Sequence, residues 1–157
     1  MMQARKPREE VEMRYIAEYV ALAFPDAIKV WFQLPVGDTP HDLARRFGAP
    51  HPRWFWKYGR RADAVVVTKS AVWVAESETR RPIQGLAELM VYKERLPDTV
   101  HLKPWLNGRA VHMLLVAPFL EIDTYLAAKR AGIEVAVYRP KWIDDALIRW
   151  GVLPRGG

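Results

Sequence analysis

Asp63 stands near the head of one apolar run, Ala62 to Val67, and Glu76 and Glu78 stand at the tail of the next, Ala71 to Glu76 and just beyond. Both runs read as strands, and the polar turn Thr68-Lys69-Ser70 between them is short enough to make an antiparallel hairpin. Side chains alternate across a strand, so Val72, Val74, Glu76 and Glu78 project to one face while Trp73, Ala75 and Ser77 project to the other. The hairpin brings Asp63 to the same end of the sheet as the two glutamates. Acids gathered there repel unless a cation neutralises them. In a chain without cysteine such oxygen donors suit a hard ion, Mg²⁺ or Mn²⁺, rather than zinc. Strand ends commonly carry solvated acids, and it is the convergence of three that points to a site. The histidines at 41, 51, 101 and 112 show no ligand spacing, and Ser77 has no histidine in register to make it a nucleophile.

Several elements must position this hairpin. From Pro7 to Phe24 the residues Val11, Tyr15, Ile16, Tyr19, Val20 and Ala23 recur at helical spacing. Ile28 to Leu34 reads as a strand closed by Pro35, rich in β-branched and aromatic side chains. Residues 37–60 read as an insertion with three prolines, a short helical stretch at His41 to Phe47, and the run Arg53-Trp54-Phe55-Trp56-Lys57-Tyr58. Pro82 suits a first helical position, and Ile83, Leu86, Leu89, Met90 and Leu96 supply the stripe of a second helix. Val111 to Ala117 is a continuous apolar run typical of a central strand. A helix over Glu121 to Ala131, a Gly132 cap and a strand from Ile133 to Tyr138 then imply a parallel crossover. Trp142, Ile143, Leu147 and Trp150 make Lys141 to Trp150 an amphipathic last helix.

The 157 residues suffice for a single α/β domain with one core, a mixed central sheet flanked by helices. No apolar run approaches the roughly 18 residues of a membrane span. The first residues lack the apolar stretch of a signal peptide, so a cytoplasmic setting is expected, or host cytoplasm or a virion if the source is viral. Lys and Arg outnumber Asp and Glu by 24 to 18, a net charge of +6 that favours polyanionic partners over mere solubility. A single Asn, no Cys and 12 Pro suggest a thermophilic source. Trp54 to Trp56 could stack on unpaired bases, but packing or an interface with a protein partner or a second copy is favoured, because large aromatics are costly to leave in water.

These residues resemble the PD-(D/E)XK nuclease superfamily, specifically its RecB-like and Holliday-junction-resolvase-like members. Arg61-Ala62-Asp63-Ala64-Val65-Val66-Val67 looks like the Asp strand of that family, and Val72-Trp73-Val74-Ala75-Glu76-Ser77-Glu78-Thr79 like its Glu strand. Glu88-Leu89-Met90-Val91-Tyr92 is similar to the helix segment that follows. Met113 to Pro118 and Gly132 to Val135 resemble the closing crossover. The likeness covers about residues 61–138 and implies a restriction-endonuclease-like fold. It also implies a metal-dependent nuclease hydrolysing DNA phosphodiester bonds, from a repair system, a mobile element or a virus. In that family's terms Asp63 and Glu76 would hold Mg²⁺ or Mn²⁺, with Glu12 of the first helix as a further ligand and Glu9 in reserve. Both helix acids could equally be surface residues favoured by the helix dipole. Glu78 takes the place of the lysine in Glu-x-Lys and would position or deprotonate water. Glu88 replaces the usual glutamine, with Gln84 one turn earlier on the same face. Arg60, Arg61, Arg80, Arg81, Gln84 and Lys93 are the expected nucleic-acid contacts. The alternative is a catalytically degenerate protein of the same fold, serving as a nucleic-acid-binding, assembly or viral structural subunit.

Overall fold

The computed structural model describes residues 7–37 and 61–156, with Arg45 and Gly48 between them. Apart from Arg45, the expected helical stretch at 41–47 lies outside the described residues, as do the aromatic run with Trp54 to Trp56 and Arg60.

In chain order the elements are α1 (Pro7–Ala23), β1 (Lys29–Pro35), β2 (Arg61–Val67), β3 (Ala71–Ser77), α2 (Pro82–Arg95), a short α3 (Lys103–Leu106), β4 (Ala110–Ala117), α4 (Ile122–Arg130), β5 (Glu134–Val137) and α5 (Lys141–Arg149). Two 3₁₀ turns, Leu96–Asp98 and Val100–Leu102, link α2 to α3. Among the described residues the strands form one sheet in the order β1-β2-β3-β4-β5. β1, β2 and β3 pair antiparallel, while β3, β4 and β5 pair parallel. The sheet is therefore mixed, as the hairpin and the crossover predict. The turn at 68–70 is closed by Thr68, whose backbone N–H donates to the Ala71 carbonyl at 2.8 Å.

Both faces are covered. Under α2 and α4 lie Val65, Val67, Val72, Val74, Leu86, Leu89, Tyr92, Met113 and Leu115. Under α1 and α5 lie Tyr15, Ile16, Val20, Ala64, Val66, Ala75, Leu114, Val116, Ile143 and Leu147. Full burial of each Val, Leu or Ile contributes roughly 1.5–3 kcal/mol, and β2, with residues 64–67 all buried, is held from both sides. One expectation is corrected here. Ile83 and Met90 are 52% exposed, because α2 turns Pro82, Gly85, Leu86, Leu89 and Tyr92 to the sheet instead. Seven residues apart, Ile83 and Met90 share a stripe, but it is the neighbouring one.

The parallel strands β3 and β4 end together, with the Glu78 N–H donating to the Val116 carbonyl at 2.9 Å, and α2 begins four residues later. That end of the sheet carries the acids.

Candidate active site

Asp63 is held from both neighbouring strands. The Ser77 backbone N–H and hydroxyl each donate to Asp63 Oδ2 at 2.8 Å, and Gln33 Nε2 donates to Oδ1 at 3.0 Å. A carboxylate offers about four lone-pair positions, so this one is oriented with one left open. It faces a cavity of about 280 Å³ lined also by Glu9, Glu12, Met13, Ile16 and Gln33. The helix acids expected at the site thus share its space. Glu12 is anchored there, its Oε1 accepting from Arg8 Nε at 3.1 Å and from the hydroxyl of buried Thr79 at 3.4 Å.

Glu76 is not among the residues lining this cavity and is 5% exposed. Its Oε2 accepts from the Asp63 N–H at 3.4 Å. Burial first, then the charge of Asp63 and a hydrogen bond with Glu88, push its proton affinity far above the ordinary carboxylate range. Glu88 is therefore a member of the cluster and adds a further acid to it. It is on the stripe of α2 between Gly85 and Tyr92. A Cβ on Gly85 would come within 2.6 Å of Leu115 Cδ1 and 3.3 Å of Glu78 Cβ, so glycine lets the helix approach the strand ends closely.

Glu78 has a local task. Its Oε1 accepts from the backbone N–H groups of Arg80 and Arg81 at 3.4 and 3.2 Å, just before α2 starts. Burial raises its proton affinity too, with Glu12 and Glu88 adding to it and the two N–H bonds opposing. Arg80, Arg81 and Gln84 are exposed and, with Arg8 and Glu78, line a second cavity of about 260 Å³. Arg61 is exposed at the start of β2, where its carbonyl accepts from the Tyr92 hydroxyl at 3.0 Å.

Lys93 does not join the acid end. It lines a cavity with Leu96, Pro97, Leu106, Val111, Met113 and Gly132, and Val111 pairs with Val72 at the opposite end of β3. Asp63, Glu76 and Glu12 are not assembled as a ready triad, since among the described residues no three His, Asp or Glu side chains are placed to hold an ion together. Glu12 leans on Arg8 and Thr79, and Glu76 shares a hydrogen bond with Glu88. A pair suffices for magnesium, which characteristically takes one or two carboxylates and completes its shell with water and phosphate oxygens. Asp63 with its open lone pair and Glu76, an acid that burial and like charge keep from ionising alone, fit such an ion by donor type and by charge.

The residues absent from the sequence reading are Gln33, Ser77 as a donor, Thr79 and Arg8. Gln33 had one signal, a lone amide inside Val30-Trp31-Phe32-Gln33-Leu34.

No family model matches the chain, and no curated protein matches it. Among solved structures, the chain is similar to a repair endonuclease from Pyrococcus abyssi, with 17% identity, a TM-score of 0.53, and coverage of 89% of this chain and 50% of that one. The chain shares its fold with a repair endonuclease. EndoMS in apo form and EndoMS in complex with dsDNA match with 16% identity and TM-scores of 0.47, over 89% and 88% of this chain and 49% and 48% of those. The chain spans about half the length of these structures. Among the described residues no helix is long and apolar enough to cross a membrane.

Proposed function

We propose that the chain is a metal-dependent nuclease that hydrolyses DNA phosphodiesters at the acid end of its sheet, on a PD-(D/E)XK-like site in which Glu78 replaces the lysine. The observation that carries this reading is the fixed Asp63 carboxylate beside buried Glu76, on a fold shared with a repair endonuclease. The arginine-lined cavity next to it offers the positive charge that a polyanion needs.

Asp63 and Glu76 would hold Mg²⁺ or Mn²⁺. The ion would supply charge for the pentavalent transition state and a water acidic enough to attack. Gln33 and Ser77 fix the orientation of Asp63. Glu88 shares a hydrogen bond with Glu76, and Arg80, Arg81 and Arg8 would attract the phosphate backbone to the open edge. Glu78, bound to two backbone N–H groups on one oxygen, keeps the other for a water proton.

A second reading rests on that same engagement of Glu78. One oxygen of Glu78 is engaged at the helix start, and position 78 carries a glutamate instead of the lysine of the related pattern, which favours a domain that binds nucleic acid without cutting it. The deciding experiment incubates the protein with single-stranded, duplex and branched DNA in Mg²⁺ or Mn²⁺, alongside Asp63→Ala and Glu76→Ala. Cleavage by the parent and by neither variant supports the nuclease. DNA binding without cleavage under any metal transfers support to the binding role.

A further inference from the structure

Gln33 stands at a backbone outlier on the functional end of the sheet. Its φ is +58°, the one positive φ found at a non-glycine residue among the described residues, in a region where a Cβ crowds the chain. The pairing of β1 with β2 keeps one register on either side of it. Phe32 faces Ala64 and Leu34 faces Ala62, so Gln33 lies opposite Asp63. The alternation of side chains does not continue through that rung. Trp31 and Leu34 both pack into the core under α2, and so do Val65 and Ala62, whereas unbroken strands would send the members of each pair to opposite faces. Both strands therefore change face at the same rung. The result is that Gln33 Nε2 bonds Asp63 Oδ1 and both side chains line the cavity that holds Glu9 and Glu12.

We infer that this rung is a positioning device, in which the left-handed turn at Gln33 aims a neutral amide at Asp63 so that the carboxylate presents its open lone pair to a divalent cation. The inference rests on the nuclease reading and assigns Gln33 as a positioning residue within it. Ser77 fixes one oxygen of Asp63 and leaves the other free to swing. The amide of Gln33 closes that freedom. A neutral donor does so without cancelling the negative charge an ion needs, whereas an arginine or lysine at the same place would compete with the ion. Backbone strain persists where the surroundings over-determine it, and here it sits against Asp63, the acid held from both neighbouring strands.

Two variants separate the backbone from the amide. Gln33→Gly removes the amide and accepts the positive φ without strain, while Gln33→Ala removes the amide and keeps the strain. Mn²⁺ affinity of the full chain without nucleic acid, by calorimetric titration, is compared with the metal-free melting temperature. The expected result is that the Gly variant melts above the Ala variant while both lose about tenfold in Mn²⁺ affinity, the usual cost of an outer-shell partner. Affinity that follows melting temperature, with the Gly variant binding like the parent, would reduce Gln33 to a backbone feature and overturn the role. A parent that binds Mn²⁺ and cleaves DNA while both variants match it removes only the role of Gln33. A parent that neither binds Mn²⁺ nor cleaves removes the nuclease reading and this role together.

Discussion

Glu76 carries the largest electrostatic load of any side chain at the site. Burial, the charge of Asp63 and the hydrogen bond with Glu88 all favour its protonated form. A carboxyl that keeps its proton when folded and releases it when unfolded makes stability decline as pH rises above the ordinary carboxylate range. Glu76→Gln should therefore be more stable than the parent at pH 8, by at least about 1 kcal/mol, and show little difference at pH 4, as read by urea unfolding at the two pH values. The same substitution should abolish any rise of melting temperature on adding Mg²⁺, because the ion must displace that proton to bind. At Glu78 the contrast is between two replacements. Glu78→Gln keeps an acceptor for the Arg80 and Arg81 N–H groups, whereas Glu78→Ala leaves them without it and should cost about 1 kcal/mol, as lost caps do. Equal stability of the two would show that the bonds contribute nothing. The meeting of Asp63 and Glu76 at one end of the sheet was legible because strand alternation has period two and the hairpin turn fixes which ends meet. Gln33 and Ser77 were not, since their roles depend on a face change and on a register between separate strands that no local pattern announces.

At the scale of the element, α2 is the piece whose seating decides the site, because it brings Glu88 to Glu76 and begins beside Arg80 and Arg81. Its position along the chain could be read from Pro82 and the apolar spacing. Its buried stripe could be read in part: Leu86, Leu89 and Leu96 are buried as expected, whereas Ile83 and Met90 have the right spacing on the wrong side, and Gly85, the residue that sets the approach, carries no hydrophobic signal. Gly85→Ala sets the two effects in opposition. A mid-helix alanine gains about 1 kcal/mol in propensity, while a methyl 2.6 Å from Leu115 Cδ1 in a filled core costs roughly 1–3 kcal/mol. Overpacking should prevail, lowering the melting temperature and, by lifting α2, reducing cleavage further than stability alone explains. A more stable, fully active alanine variant would mean that the close approach is not needed. On the other face, Glu18 of α1 accepts from Trp142 Nε1 at 2.7 Å, Tyr138 Oη at 3.2 Å and Arg14 Nε at 3.0 Å, while the Arg14 guanidinium lies 3.9 Å from the centre of the Trp142 ring. Partial burial would raise the proton affinity of Glu18, but these donors outweigh it and hold it below the usual range. Its support is therefore present above the ordinary carboxylate pKa and fades as pH falls. Glu18→Gln should lower the melting temperature at pH 7 and make no difference near pH 3, which thermal scans at both pH values would read.

For the molecule as a whole, the distribution of charge matters more than its total. The net charge of +6 says only that polyanions are favoured, whereas the fold places Arg8, Arg80 and Arg81 around one cavity and Glu9, Glu12 and Asp63 around another, with the Arg8–Glu12 ion pair at 3.1 Å joining the two. A phosphate chain drawn to the first would have its next phosphates near the second, where an unneutralised acid cluster repels it and a bound cation reverses the sign. Binding should therefore depend on both salt and divalent ion. Each arginine that neutralises a phosphate releases counterion, so the log-log dependence of DNA affinity on salt has a slope of about −0.9 per contact. Arg80→Ala with Arg81→Ala should make that slope shallower by about 2 and weaken every sequence alike, because backbone contacts carry no base information. Fluorescence anisotropy across a salt series, with and without a divalent ion, reads both quantities. An unchanged slope would place the DNA elsewhere on the surface and detach the arginine cavity from the acids. A slope reduced as expected, but with affinity indifferent to divalent ion in the parent, would keep the DNA on this edge while removing the ion from the account of how the acids tolerate it.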